Sequence, residues 1–457
     1  LKGLSGGRKL LREPSKIKVG LVSLGCSKNL VDSERLLFKI RQHGCELTTD
    51  AGNSDIVIVN TCGFIQSAKE EAIETILEFG KLKEEGRIKK IIVTGCLAER
   101  YREETAELFP EADAVIGIGK NEDITNVIDK VLTNERVIEF GRKDELPVTG
   151  DRIISTLPFF AYIKIAEGCD NCCTYCAIPS IRGRYRSVPK EDVIKEAKWL
   201  AENGVTELIL IAQDTTNYGK DLYGKSELAS LMRELCKIDG IKWIRTLYCY
   251  PERITDELLD TMAQEEKIVK YLDIPIQHCN EEILRQMNRT GNKEELLNLM
   301  NHIREKIPNV ILRTTLITGF PGETKEQFEE LAEFIKEVEF DRLGCFPYSA
   351  EEGTVAGEME NQIDEDVKIH RADILMEQQQ IISERKLAKK LGTVMEAVVE
   401  GFDQYGECYF GRTREDAPDI DGKIFFDSDD RLEIGQYVKV KVTETLDYDL
   451  TGEVVKE

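Results

Sequence analysis

Continuous apolar runs alternate with amphipathic stretches through the first third of the chain. The apolar runs predict buried strands, and the segments between them carry the 3.6-residue period of helices. Continuous rather than alternating hydrophobicity is typical of a parallel sheet with both faces covered. The predicted strands lie at residues 19–24, 55–60 and 90–94, and the predicted helices at about residues 32–43, 66–83 and 99–108. Asp32, Ser33 and Glu34 are interpreted as the start of the first helix, and Gly44 as its end.

The middle of the chain, residues 156–390, continues the alternation of strand and helix. Six strand–helix units predict an open, partial (β/α) barrel, an architecture whose functional residues lie at the C-terminal ends of the strands. The strands are predicted at residues 162–166, 207–212, 243–248, 269–274, 310–317 and 342–347, with helices such as 190–202, 255–264 and 325–338.

The pattern changes near residue 391, where apolar runs become short and alternating and Gly and Asp turns separate them. This predicts a five-stranded barrel of oligonucleotide-binding shape, with strands at residues 394–399, 408–411, 423–426, 437–442 and 452–455. The predicted class is therefore α/β, with an N-terminal parallel-sheet domain, a partial barrel and a small β-barrel, at residues 17–150, 156–390 and 391–457. A polar linker is expected around residues 142–147.

Charge changes the interpretation of that small barrel. From residue 391 to 457 there are 17 Asp and Glu against seven Lys and Arg, a net charge of −10, and the whole chain carries −23. Nucleic-acid binding depends on Lys and Arg that neutralise phosphates, so direct nucleic-acid binding is not expected. An acidic barrel suits a basic protein partner, although solubility alone would also account for the charge.

Composition indicates a cytoplasmic protein. The 457 residues include 13 cysteines, which in a reducing compartment bind metals rather than form disulfides. No stretch of about eighteen apolar residues is present, so no membrane span is expected. Residues 1–15 are basic and glycine-rich without the apolar core of a signal peptide, and are interpreted as a disordered leader.

Four cysteines within eight residues are the main chemical feature of the chain. Cys169, Cys173 and Cys176 form a C-x-x-x-C-x-x-C pattern, while Cys169, Cys172 and Cys176 form C-x-x-C-x-x-x-C. Such density indicates a metal or cluster site. The first register is favoured because three ligands on a four-iron cluster leave one iron open to a small molecule. Zinc remains an alternative, but a zinc ribbon usually needs a second, separated cysteine pair; a disulfide is a further alternative.

Three more cysteines, Cys26, Cys62 and Cys96, each follow a predicted strand of the N-terminal sheet and each adjoin a glycine. The C-terminal ends of parallel strands share one edge of a sheet, where ligands bind. The three thiols, separated by 36 and 34 residues, are therefore expected to converge on a second metal site. The alternative is three small buried core residues. Cys45 follows a helix and is assigned to the core.

Polar or glycine-containing segments also follow every predicted strand of the central domain, which indicates a pocket built around a bound molecule. They include Gln213-Asp214, Gln277-His278 and the turn of residues 319–323. Each has a simpler explanation: the turn serves the next helix, and His278 makes a structural hydrogen bond. Arg182, Arg184 and Arg186 are either a solvated loop or a group that attracts carboxylates near the cysteines.

The C-x-x-x-C-x-x-C pattern, with Tyr175 before its last cysteine, resembles the signature of radical S-adenosylmethionine (SAM) enzymes. Together with three strand-end cysteines and a small C-terminal barrel, the chain from about residue 17 onward resembles the methylthiotransferase family. The segments Leu24-Gly25-Cys26-Ser27-Lys28-Asn29, Asp32-Ser33-Glu34 and Ala212-Gln213-Asp214-Thr215-Thr216 resemble the branch that modifies ribosomal protein S-twelve.

The resemblance implies two [4Fe-4S] clusters. Cys169, Cys173 and Cys176 would hold the catalytic cluster, whose open iron chelates SAM, and Cys26, Cys62 and Cys96 would hold an auxiliary cluster that carries sulfur. A radical formed from one SAM would remove hydrogen from the β-carbon of an aspartate, and a second SAM would supply the methyl group. The residues expected to contact SAM are Tyr175, Gln213, Asp214, Gln277, Arg313, Gly319 and Glu323.

The implied partners are ribosomal protein S-twelve, free or in the small subunit, and a low-potential electron donor such as flavodoxin or ferredoxin. The tRNA-modifying branch of the family is the alternative, and the acidic barrel disfavours it. Other rivals are a two-cluster radical SAM enzyme of another activity and a zinc-stabilised binding protein. Two departures from the family pattern are Cys172, a fourth thiol in the loop, and Cys279-Asn280, where a small residue followed by Ser is expected.

Overall fold

A computed structural model describes residues 16–455, so the interpretation of residues 1–15 as a leader lies outside the described part. The chain divides into two compact units, the first comprising the chain up to residue 63 with residues 67–146 and 151–153, and the second comprising mainly residue 154 onward. Among the described helices, none combines the length and apolar character that crossing a membrane would need.

The first unit is a six-stranded, wholly parallel sheet with strand order β2-β1-β3-β4-β5-β6. Its strands are fully apolar in the middle because helices cover both faces. The strands are β1 Lys18–Ser23, β2 Glu46–Thr48, β3 Ile56–Thr61, β4 Lys90–Gly95, β5 Ala114–Ile116 and β6 Val137–Glu139, and the helices are α1 Ser27–Gln42, α2 Gln66–Glu84, α3 Cys96–Leu108 and α4 Ile124–Leu132. Cys45 packs against the core on one face, as expected.

Helix α1 begins at Ser27, five residues before the predicted start. The polar residues interpreted as its cap, Asp32, Ser33 and Glu34, are buried inside it. Ser33 lies between the Ser23 hydroxyl, at 2.8 Å, and the Asn60 amide, at 2.8 Å, while Glu34 pairs with Arg152 at 2.6 Å. Their polarity therefore reflects tertiary hydrogen bonds, which local capping rules do not anticipate.

The second unit contains the central strands in two parallel groups, β7-β10-β11 and β12-β13-β14, joined by a parallel bridge between Ile244 and Ile268. This agrees with the predicted partial barrel. The strands are β7 Phe160–Lys164, β8 Ala166–Glu167, β9 Arg186–Ser187, β10 Glu207–Ile211, β11 Trp243–Thr246, β12 Tyr271–Asp273, β13 Ile311–Thr318 and β14 Arg342–Pro347. The helices are α5 Ile178–Arg182, α6 Lys190–Glu202, α7 Lys220–Tyr223, α8 Leu228–Cys236, α9 Asp256–Gln264, α10 Glu281–Gln286, α11 Lys293–Lys306, α12 Lys325–Val338 and α13 Glu365–Ala388.

The C-terminal strands form a closed five-stranded barrel in the order β15-β16-β17-β19-β18, as the sequence predicts. They are β15 Val394–Asp403, β16 Cys408–Thr413, β17 Ile424–Asp427, β18 Tyr437–Thr445 and β19 Leu450–Val454. Alternating side chains such as Val438, Val440 and Val442 fill the interior. Closure removes the exposed strand edges that would otherwise pair with other chains.

Buried ion pairs join this small barrel to the N-terminal ends of the central strands. Arg412 donates to Glu207, the first residue of β10, at 2.8 Å, and Arg245 donates to the same carboxylate group at 3.0 Å. The Tyr271 hydroxyl donates to Asp421 at 2.6 Å. Burial by itself would raise the pKa of Glu207, but Arg412 and Arg245 hold it below its usual value. The small barrel is therefore packed onto the central domain at the end opposite to the strand termini where ligands are expected.

Candidate functional site

The cysteine-rich loop connects β8 to α5, and the short antiparallel pair β8–β9 fixes its base. Ala166 faces Ser187 and Glu167 faces Arg186 in that pair. The Cys169 amide donates to the Gly183 carbonyl at 3.1 Å. Gly168 has a φ of +77°, and a side chain there would meet the Arg184 carbonyl oxygen at 2.1 Å, so only glycine permits this close approach.

The four thiols of the loop differ in exposure. Cys173 is buried, Cys169 and Cys176 are half-buried, and Cys172 is exposed with a φ of +50°. The Cys176 amide donates to the Cys173 carbonyl at 3.0 Å, which turns both residues into one bend. Burial raises the pKa of the Cys169 thiol to about 11, so a metal would have to displace its proton on binding.

The segment after α10 holds the loop from the other side. The Thr174 amide donates to the Met287 carbonyl at 3.1 Å, and its hydroxyl donates to the Gln286 carbonyl at 2.8 Å. The Asn288 amide side chain donates to the Asn171 and Cys172 carbonyls at 3.1 and 3.0 Å. These hydrogen bonds use the backbone of Cys172 and leave its side chain facing outward.

Two of the predicted SAM contacts are hydrogen-bonded to the loop. The Asp214 carboxylate accepts from Asn171 at 3.1 Å and is paired with Arg253, which in turn donates to the Asn171 side-chain oxygen at 2.7 Å. Gln213 donates to Glu167 at 3.1 Å, and the side-chain oxygen of Gln213 is buried without a hydrogen-bond donor. The end of β10 therefore supports the loop directly.

Glu167, immediately before Gly168, is the centre of a buried charged cluster. It accepts from Lys164 at 2.5 Å and from Arg182 at 3.2 Å, and all three side chains are almost wholly excluded from solvent. Burial alone would raise the pKa of Glu167, but Lys164 and Arg182 hold it below its usual value. Arg182 is therefore a buried partner of a carboxylate rather than part of a solvated loop.

The predicted contacts from β13 and its following turn are held by internal hydrogen bonds. Glu323 accepts from the Gly319 amide at 2.9 Å and from Arg371 at 2.6 Å. His278 is buried, its Nδ1 accepts from the Asn280 amide at 2.9 Å, and its Nε2 lies 3.6 Å from the Glu323 carboxylate. Gln277 has a φ of +69°, and its amide donates to the Thr315 carbonyl at 2.9 Å. This histidine has the structural hydrogen bond that the simpler interpretation expects.

Tyr175 and Arg313 occupy contrasting positions. Tyr175 belongs to the loop and packs against the apolar cluster that contains Met287 and Phe320. Arg313 departs from the expected position, because it is the third residue of β13 rather than near its C-terminal end. It donates to Asp273 at 2.7 Å and lies 3.7 Å from Asp421 of the small barrel. Arg313 thus belongs to the ion-pair network beneath the central strands.

In the first unit, the three strand-end cysteines lie on neighbouring parallel strands. Cys26 precedes α1, Cys62 follows β3, and Cys96 is the first residue of α3. A side chain at Gly25, whose φ is +84°, would meet the Cys62 sulfur at 2.7 Å, and one at Gly63 would meet the backbone of Leu97 at 2.7 Å. The Asn29 side chain donates to the carbonyls of Leu24 and Asn60, at 2.8 and 3.1 Å, which ties the first of these turns to β3.

All thirteen cysteines are free thiols, and all lie within residues 16–455. In that part of the chain, no three side chains of His, Cys, Asp or Glu are already arranged as metal ligands. Cys279 and Cys249 lie in the main apolar core of the second unit. Cys279, the second departure from the family pattern, is therefore a core residue.

The sequence analysis missed several residues that contact the loop. They are Lys164, Glu167, Asn171, Tyr250, Arg253, Asn288 and Arg289. A usable signal existed for Lys164 and Glu167, which are charged residues in an otherwise apolar strand directly before the cysteines. No local signal marked Asn288 or Arg289, since they lie more than 110 residues along the chain from their partners.

Comparison with known proteins gives three matching families. The Radical SAM superfamily matches residues 163–335, the Uncharacterized protein family UPF0004 matches residues 18–117, and the TRAM domain matches residues 391–455. The solved structure of TsrM from Kitasatospora setae, a radical S-adenosylmethionine methyltransferase, is similar with a TM-score of 0.55 and 14% identity over 72% of this chain and 73% of that chain. That likeness concerns the fold.

Curated relatives cover almost the whole chain. The "Ribosomal protein uS12 methylthiotransferase RimO" of Lachnoclostridium phytofermentans is 52% identical over 95% of this chain and 99% of its own length. The protein of the same name from Clostridioides difficile is 50% identical over 96% and 99%. With identity at this level across all three domains, the chain belongs to the radical SAM methylthiotransferases, in the RimO family.

Proposed function

We propose that this radical SAM enzyme methylthiolates ribosomal protein uS12, the S-twelve protein, at the β-carbon of an aspartate. The observation that carries the proposal is identity of about half over nearly the full length to proteins named for that activity. The tRNA-modifying alternative is not favoured, because the named relatives modify a protein and the TRAM-type barrel carries −10.

The radical SAM family implies SAM and a [4Fe-4S] cluster. Cys169, Cys173 and Cys176 are the proposed ligands, since they lie in one loop that is fixed on two sides and Cys172 points outward. The donor set suits a cluster, because thiolates are its usual ligands and three of them leave one iron for SAM. Bound together, cluster and SAM supply a one-electron cleavage that produces an organic radical.

The chain's own part is to orient these groups and exclude water. Tyr175, Gln213, Asp214, Gln277, Gly319 and Glu323 are proposed to line or support the SAM site, and Arg313 is the least suitable member of the original set because of its position in β13. Asp214 and Gln213 would act through the loop to which they are hydrogen-bonded. An apolar cluster of Met287, Phe320 and Tyr348 beside Tyr175 would keep water from that side.

A second cluster at Cys26, Cys62 and Cys96 is the proposed sulfur carrier. The support is their common position at the ends of β1, β3 and β4, and the glycines that let the turns approach one another. Cys26 and Cys96 also lie at the N-terminal ends of α1 and α3, where backbone amides favour negatively charged groups. An electron donor of the flavodoxin or ferredoxin class and a cytoplasmic location complete the proposal.

The test is mass spectrometry of ribosomal proteins from cells with and without the gene for this chain. The expected result is a uS12 peptide that gains sulfur and a methyl group only when the active chain is present. A chain in which Cys169, Cys173 and Cys176 are replaced by Ala serves as the matched control. An unmodified uS12 together with a new methylthio group on tRNA would assign the chain to the other branch.

A further inference from the structure

One face of the cysteine loop is in contact with a tyrosine that comes from a different strand end. The Tyr250 hydroxyl lies 2.8 Å from the sulfur of Cys173. The Tyr250 amide donates to Thr216 at 3.0 Å, and Thr216 donates to Asp214 at 2.6 Å, so the ring is anchored to the turn after β10. An O–H group held at this distance donates a hydrogen bond to a thiolate, because a thiolate can only accept.

A buried guanidinium lies behind that tyrosine. Arg289 is 6% exposed, its guanidinium carbon lies 4.2 Å from the centre of the Tyr250 ring, and its Nη1 donates to the Tyr175 hydroxyl at 3.4 Å. Its Nη2 is buried and has no hydrogen-bond acceptor. The Arg289 amide donates to the Leu284 carbonyl at 2.7 Å, which fixes the residue at the end of α10.

This arrangement leaves a positive charge uncompensated by protein. Within residues 16–455, no carboxylate lies within ion-pair distance of Arg289, whereas neighbouring Arg253 is paired with Asp214. A buried charge is costly unless an opposite charge lies nearby. A cluster bound by three thiolates is negatively charged, and its charge grows on reduction. Such a cluster at Cys173 and Cys176 would supply the compensating charge.

We propose that Tyr250 and Arg289 are positioning residues of the loop cluster, which raise its reduction potential through a hydrogen bond to Cys173 and a buried positive charge. Both interactions become more favourable as negative charge is added, so they stabilise the reduced state more than the oxidised one. This inference rests on the proposed ligand role of Cys173.

The test is a reductive titration followed by electron paramagnetic resonance of the reduced cluster. The background is the full chain with Cys26, Cys62 and Cys96 replaced by Ala, so that only the loop cluster contributes. Iron content of about four atoms per chain in this background checks the ligand assignment separately. The same variants in the otherwise unchanged chain provide a second measurement, because SAM alters the signal only of the cluster that it binds.

For Tyr250→Phe, we expect full iron content and about a tenfold lower ratio of reduced to oxidised cluster at a fixed potential, which corresponds to a negative shift of about 59 mV. Tyr348→Phe is the matched control, since that tyrosine lies in the apolar cluster beside Tyr175 but makes no hydrogen bond to a cysteine among residues 16–455. An unchanged potential in Tyr250→Phe with intact iron would overturn the role of Tyr250.

For Arg289→Met, the expected shift is also negative, and Arg289→Lys should recover part of it because it keeps the charge. Loss of iron in Arg289→Met with retention in Arg289→Lys would also support a role for the charge. Equal potentials in all three chains, or loss of iron in both variants, would assign Arg289 to packing of the loop and overturn its part of the proposal.

Discussion

Single residues decide which thiols of the cysteine loop can act as ligands. Cys172 and Cys173 are adjacent and chemically identical, yet one is exposed and the other is buried against Tyr250. A φ of +50° at Cys172 turns its side chain away from its neighbours. The distinction therefore comes from the backbone conformation, which Asn288 holds through the Cys172 carbonyl.

This predicts different outcomes for two matched substitutions. Cys172→Ala should keep the iron content and most SAM cleavage, because the buried Cys173 supplies the ligand. Cys173→Ala should lose about four iron atoms per chain and the cleavage activity. Iron analysis and SAM cleavage under anaerobic conditions measure both. The reverse pattern would mean that the C-x-x-C-x-x-x-C register is the correct one.

Glu167 gives a prediction about pH. Its carboxylate is buried between Lys164 and Arg182, which hold its pKa below the usual value of about 4.3. A lowered folded-state pKa contributes stability above the unfolded-state value, and this stability is lost as the pH falls through the folded-state pKa. Stability of the second unit should therefore decline below about pH 4.3, and less so in Glu167→Gln.

At pH 7 the same substitution leaves two buried cations without their carboxylate and should cost about 3–5 kcal/mol in urea unfolding. Glu202→Gln, at the exposed C-terminal end of α6, is the control and should change little. A Glu167→Gln variant as stable as the parent chain, with the same acid dependence, would contradict this account of the charged cluster.

At the scale of elements, the cysteine loop depends on contacts from helices and strands far away in sequence. The end of α10 supplies Met287 and Asn288, the turn after β10 supplies Asp214, and the β8–β9 pair fixes the base. Each of these contacts lies at a strand or helix end, so the loop is held by the geometry of the barrel rather than by its own sequence.

Removing one of these supports should loosen the loop. Asn288→Ala deletes two hydrogen bonds to loop carbonyls, and each contributes about 0.5–1.5 kcal/mol. We expect loss of cluster iron to a chelator to accelerate roughly fivefold for each kcal/mol removed. Asn288 has a φ of +57°, so Asn288→Gly is the control that removes the side chain without straining the backbone. Similar acceleration in both variants identifies the hydrogen bonds; acceleration in the Ala variant alone would identify strain.

At the scale of the whole molecule, the small barrel has two different surfaces. One side is buried in ion pairs with the central strands, through Arg412, Asp416 and Asp421. Elsewhere it exposes acidic residues such as Asp427, Asp429 and Asp430. Deleting the barrel would unpair Glu207 and Arg342 in the central domain, so point substitutions are the cleaner test of docking.

The acidic surface should steer a basic ribosomal protein. Replacing Asp427, Asp429 and Asp430 by Asn should slow association with uS12 at low salt and weaken its salt dependence, since such steering is screened over roughly 8 Å at physiological ionic strength. Cleavage of SAM without the protein substrate should not change. Stopped-flow association at several salt concentrations measures the effect.

The matched control removes the same charge from the central domain through Glu329, Glu333 and Glu337→Gln, all exposed on α12. We expect this control to associate at nearly the parental rate, because its charges lie on another domain. Equal slowing in both triple variants would show that only net charge matters, and no slowing in either would remove the barrel from the docking step.

The sequence by itself determined the three domains, the order of their elements and the cysteines that matter. Hydrophobic periodicity and ligand spacing are local properties, and helices such as α6 and α12 begin and end where their patterns predicted. Family membership followed from the same motifs and agrees with the full-length relatives. Local patterns also located the cysteines at strand ends, because each followed an apolar run directly.

Only the tertiary structure decided what surrounds those cysteines. Arg313 was expected beside the ligand and lies instead in the network beneath the barrel, because its position along β13 depends on where that strand begins. Asp32, Ser33 and Glu34 looked like a helix cap and are buried hydrogen-bonding residues. Tyr250 and Arg289 meet Cys173 and Tyr175 across 77 and 114 residues. Contacts over such distances arise from the closure of the strands around a common axis, which no local pattern in the chain records.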